Sequence, residues 1–216
     1  MGRAVIDPQS DAELAGWCGK RDTFGGVIYC FEVAVHEGTH KWDLGMLGAT
    51  WSYRVRDDLV IRARRLRNFA ISEILQLHAD VAKDQFADLY LSGPTGTQGF
   101  NYLLEEYNAY VHTLATRYCT QDGIADGVRV NGKDGILTFM YYLELYLRRA
   151  RTAHPDDYAA IKADPEQVRL ILTVWDRAEL WLAKAADRYQ LGIDDAVIRR
   201  WTYDPQNLAE IRMLKP

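Results

Sequence analysis

The chain has 216 residues, 48% hydrophobic and 26% charged, which excludes a disordered or fibrous polypeptide and leaves ample material for one buried core. Its net charge of −4 offers no basic excess to a phosphate backbone, so no nucleic-acid partner is expected. No run approaches the roughly 18 consecutive apolar residues of a transmembrane segment, and the opening MGRAVIDPQSDAEL has no apolar core of the kind a targeting peptide carries.

In chain order, residues 11–17 read as a short helix, and Phe24 to Cys30 as a turn feeding a short strand, because Gly25-Gly26 precede Val27-Ile28-Tyr29. Cys18, Cys30 and Cys119 are too few for a disulfide scaffold. A Cys18–Cys30 bridge in an exported protein and three reduced thiols in a cytoplasmic one both fit. Residues 31–43 turn helical. From 51 to 90, Val55, Leu59, Leu66, Phe69, Leu75 and Phe86 recur at near-helical intervals, predicting one long helix or two with a bend. Its arginines, from Arg54 and Arg56 to Arg62, Arg64, Arg65 and Arg67, then read as a solvated helix face.

Residues 91–99 are a loop rich in turn formers, a connector or a cleft rim, that opens a helix from Phe100 to Cys119. Glycines punctuate 120–135, where Val128 to Gly132 suggests a small hairpin strand. Helices follow at 135–151, 155–163 and 165–189, with Pro165 suited to a helix start, and a short C-terminal pair is divided near Tyr203-Asp204-Pro205. Phe139, Met140, Tyr141, Tyr142, Tyr146, Trp175 and Trp181 fall at helical spacing and are assigned to the core. The expected fold is mainly α, a single helical domain over residues 1–216 with at most a small β element.

Chemistry concentrates in Val35-His36-Glu37-Gly38-Thr39-His40. On a helix, residues four apart share a face, so His36 and His40 reach one ion while Glu37 projects beside them, placed to take a proton from a metal-bound water. A catalytic zinc needs a third protein ligand. A histidine six residues after His40 is ruled out by Met46, so a glutamate on a downstream helix is expected. On the 100–119 helix, Leu104, Tyr107, Val111, Leu114 and Tyr118 define the core face. Glu106 borders that face while Glu105 lies nearly opposite, and Ala109 and Thr113 would allow a close helix approach. Glu106 is therefore taken as the ligand, with Glu105 solvated or supporting.

HEGTH together with Glu106-Tyr107-Asn108-Ala109 resembles the gluzincin type of HExxH zinc metallopeptidase, over about a dozen residues at each motif. The resemblance implies one Zn²⁺ per chain held by His36, His40 and Glu106, Glu37 as catalytic base, and a peptide or protein substrate. It departs from that group in a longer gap between His40 and Glu106 and in offering few strands to hold a peptide. His112, Tyr107 and Tyr110 are candidates to stabilise an oxyanion, with other tyrosines equally eligible. Asn108 and Asp43 are candidates to orient the histidines, or else caps and surface groups. A non-catalytic helical interaction domain that retains the motif is the alternative, against which the intact Glu37 counts. A di-iron protein would need a second Glu-x-x-His, and Glu73, Glu105 and Glu106 have Gln76, Asn108 and Ala109 at that spacing.

Overall fold

The computed structural model describes residues 11–18, 22–44, 49–66, 68–125 and 127–215. They form one mainly helical domain with a single two-stranded antiparallel hairpin. The helices are α1 (Asp11–Trp17), α2 (Phe24–Leu44), α3 (Phe100–Thr120), α4 (Gly132–Ala153), α5 (Pro155–Ala163), α6 (Pro165–Lys184), α7 (Asp195–Thr202) and α8 (Pro205–Arg212); β1 (Thr50–Arg56) and β2 (Leu59–Arg64) form the hairpin. None of these helices is long and apolar enough to cross a membrane.

The strand expected at 24–30 is instead the first two turns of α2. Thr23 Oγ1 accepts the Gly26 amide at 3.1 Å, a helix cap that satisfies one of the orphan first-turn donors. Two glycines cost about 1 kcal/mol each in a helix. That cost is offset where α2 packs along α3 and where the Cys18–Cys30 disulfide ties α1 to it.

The long helix expected over 51–90 is absent. Trp51, Tyr53 and Val55 alternate inward on β1, and Ile61 and Ala63 do so on β2, paired Trp51 with Ala63 and Tyr53 with Ile61. This period of two buries one face of the hairpin. Arg56, Arg62 and Arg64 are exposed on its other face, so this part of the basic stripe lies on a hairpin, not a helix, while Arg67 lies outside the described residues. Short 3-10 segments (Ile71–Leu77, Val81–Lys83) and single helical turns (Ala87–Tyr90, Gly93–Gly96) fill the remainder up to α3.

Residues 128–131 form no strand. The Val130 amide bonds to Gln190 O at 2.8 Å, fastening this segment to the turn after α6. The helices at 155–163 and the C-terminal pair fall where expected, and α6 starts on Pro165 with Asp164 capping Glu166 N and Gln167 N. It ends at Lys184, earlier than its periodicity suggests. The core centres on α3 and α4: Phe139, Met140, Tyr141, Tyr142 and Tyr146 are all buried, as is Trp175, while Trp181 is partly exposed.

Candidate metal centre

Helix α2 supplies His36, Glu37 and His40 on one face, and α3 supplies Glu106 opposite. The two Nε2 atoms stand 3.0 Å apart, and Glu106 Oε2 lies 3.7 Å from His36 Nε2 and 3.6 Å from His40 Nε2. Three donors bound tetrahedrally at 2.0–2.1 Å would sit about 3.3–3.4 Å from one another. The three separations bracket that value, so these residues can hold a metal ion.

The outer atoms of the three side chains fix which donors face inward. His40 Nδ1 is hydrogen-bonded to Glu105 Oε1. His36 Nδ1 meets Thr113 Oγ1 at 2.9 Å, and the Thr113 hydroxyl proton is spent on Ala109 O at 3.0 Å, so the threonine accepts from His36. Each ring therefore donates from Nδ1 and presents Nε2 to the interior, where it serves as a ligand once its second proton is absent. The Tyr102 hydroxyl donates to Glu106 Oε1 at 2.8 Å and leaves Oε2 with no hydrogen-bond partner among the described residues. Three such acceptors this close together repel one another unless a cation or a shared proton lies between them.

Titration follows the same arrangement. Burial, then the charge on His40 and His112, pushes His36 down to about 3. Burial also opposes charge on His40, but the Glu105 hydrogen bond and the nearby Glu105, Glu106 and Glu37 outweigh it and raise this ring to about 9. Burial lifts Glu106 to about 7 against the pull of His40.

No family model, no curated protein and no solved structure matches this chain. The chemistry of the site is therefore read from its own geometry.

Several of the expected supporting roles fall elsewhere. Of the two readings of Glu105 the supporting one holds: it is fully buried and its carboxylate bonds His40 Nδ1. Asp43 and Asn108 do not bond the histidines. Asp43 accepts the Arg54 amide at 2.9 Å, and Asn108 Nδ2 donates to Asp43 and to Arg54 O, both at 3.2 Å. His112 Nε2 donates to the same Arg54 carbonyl at 2.8 Å, so it is committed to β1 and not free for an oxyanion. These three residues clamp the hairpin onto the two site helices. Tyr107 is buried near Glu144 and Glu179, away from the site.

Tyr110 does reach the site. Its ring stands edge-on to His36 at 4.9 Å, and its hydroxyl meets that of Tyr90 at 2.9 Å. Thr95, from the loop before α3, also borders the cleft. Sequence patterning missed Tyr90 and the bonds from Tyr102 and Thr113. The Tyr102–Glu106 spacing of four was an available signal for one of them.

Proposed function

We propose that this chain is a zinc-dependent metallopeptidase that hydrolyses peptide bonds. The observation that carries this reading is the convergence of His36 Nε2, His40 Nε2 and Glu106 Oε2, with every outer atom of the three side chains already hydrogen-bonded. Neutral imidazoles and a carboxylate suit zinc among the common divalent ions. Zinc, when bound, supplies a positive charge that polarises a peptide carbonyl and makes a neighbouring water acidic.

The chain's own residues do the rest. Glu37 borders both halves of the cleft, beside His36 and His40. Its carboxylate oxygen takes the proton from the attacking water and passes it to the leaving amine nitrogen. Glu105 and Thr113 keep the imidazole rings oriented, and Tyr102 holds Glu106 in place. The Tyr90–Tyr110 hydroxyl pair lies on the cleft wall, where one O–H can donate to a developing oxyanion. The Cys18–Cys30 disulfide favours an oxidising compartment.

The test is metal content by elemental mass spectrometry beside cleavage of a peptide mixture. One zinc per chain, lost in both His36→Ala and Glu106→Ala, is expected. Failure of the chain to take up zinc would overturn the reading. Zinc with no cleavage would leave a metal-binding helical domain.

A further inference from the structure

Helix α2 carries more than the metal ligands on its open face. Gly25, then the pairs Ile28-Tyr29, Glu32-Val33 and His36-Glu37, recur once per helical turn, and all of them border one depression. A cavity of about 380 Å³ at His36, His40 and Glu106 adjoins one of about 290 Å³, sharing His36, Glu37 and Tyr90 with it. The second adjoins a third, of about 480 Å³, sharing Tyr29, Arg117 and Asn131.

The far cavity is built differently from the metal end. Its walls are Ile28 from α2, Ile124, Val128 and Val130 from the segment before α4, and Ile193. Val128 and Ile193 remain 47% and 43% exposed, a large apolar surface left open. The wall is held in place. Gly123 packs so closely on α2 that a Cβ there would lie 2.7 Å from Ile28 Cγ1 and 2.9 Å from Phe24 Cε1. Val130 is pinned to Gln190 O, and Arg129 donates to Ile193 O at 2.9 Å. The neck between the cavities contains Glu32 and Arg117, buried and ion-paired with each other. With those charges mutually satisfied, the neck suits an uncharged peptide backbone better than a charged chain terminus.

Resting on the peptidase reading above, we propose that this apolar cavity is a substrate subsite. It takes a large apolar side chain, of the Leu or Phe class, from an extended peptide whose scissile bond lies at the metal end. The distance sets which residue. Ile28 precedes His36 by eight positions, about 12 Å along a helix at 1.5 Å per residue. An extended peptide advances about 3.3 Å per residue. The apolar residue therefore stands three to four positions from the cleaved bond, inside the chain of the substrate.

The test uses zinc-loaded protein and blocked decapeptides in which Leu, Phe or Ser is moved through each position, with products mapped by mass spectrometry. Glu37→Gln protein serves for binding of the same fluorescently labelled peptides without turnover. Cuts three to four residues from Leu or Phe are expected, at about tenfold higher kcat/KM than for the Ser peptides. Val128→Asp, at an exposed edge, and Ile124→Asp should each erase that preference and leave cleavage of peptides too short to reach the cavity unchanged. Cleavage indifferent to the apolar residue, or a preference kept in both variants, would overturn the subsite while leaving the peptidase standing. If the wild type cuts nothing, the peptidase reading fails and binding decides alone. Tighter binding of Leu and Phe peptides, lost on adding Val128→Asp, keeps the subsite as a peptide-binding cavity; equal binding of Leu and Ser peptides removes it.

Discussion

Glu105 and Glu106 are neighbours on one helix, both buried, yet the structure gives them different work. Glu106 offers Oε2 to the space between the histidines, whereas Glu105 bonds the far nitrogen of His40. Their substitutions should separate accordingly. Glu105→Ala is expected to weaken zinc about 10- to 100-fold, the usual cost of losing a carboxylate behind a ligand histidine, as read by competition with a chromophoric chelator. Glu106→Ala should abolish stoichiometric binding. Glu37→Gln should keep the metal and lose about 10²- to 10⁴-fold in peptide cleavage, since it removes the proton acceptor and leaves the donors untouched. A Glu37→Gln protein that retains full hydrolysis would rule out its role as base. His36, Glu37 and His40 were readable from spacing alone because the relation between them is local to one helix. The same helical pattern chose Glu106 over Glu105 as the inward carboxylate but left Glu105 either solvated or supporting, and its complete burial beside His40 is what separates the two.

Among the elements, the placement of α3 against α4 depends on a missing side chain. A Cβ on Gly135 would stand 2.3 Å from Tyr110 Cδ1, the ring that packs edge-on against His36. Gly135→Ala gains about 1 kcal/mol of helix propensity but must move an aromatic ring in a packed core, a cost of about 1–3 kcal/mol. A lower melting temperature together with weaker zinc binding is expected; an unchanged metal affinity would show that Tyr110 does not support His36. The hairpin was misread for a related reason. Val55, Leu59 and Leu66 match a helical period, but Trp51, Tyr53 and Val55 also match a period of two. Local pattern does not choose between them. What decides is the Arg54 backbone, held by Asp43 from α2 and by Asn108 and His112 from α3.

At the scale of the whole molecule, the helical core contains an acid it does not need for the site. Glu144 on α4 is fully buried, and neither carboxylate oxygen has a hydrogen-bond partner among the described residues. Burial, only partly countered by Arg148, pushes it up to about 10. An acid raised in the folded state favours folding below its unfolded pKa near 4.5, and that advantage is lost as pH climbs toward 10. Glu144→Gln should therefore match the wild type near pH 4 and become progressively more stable than it between pH 5 and 8. The gap should widen by no more than about 1.4 kcal/mol per unit, measured by denaturant unfolding. A constant difference across that range would mean the carboxyl is hydrated.

The sequence by itself determined a mainly helical domain, the helices from residue 100 onward, and one face of α2 bearing His36, Glu37 and His40. Helical periodicity and a four-residue spacing are properties of neighbours in the chain. Only the tertiary structure decided that residues 24–30 extend the motif helix, that 50–64 fold back as a hairpin, and that Glu105 and Thr113 turn the histidines toward Glu106. It also joined the metal end to an apolar cavity walled by residues from both ends of the chain. Each of those outcomes is set by contacts between residues far apart in sequence, and no local pattern encodes which partners will meet.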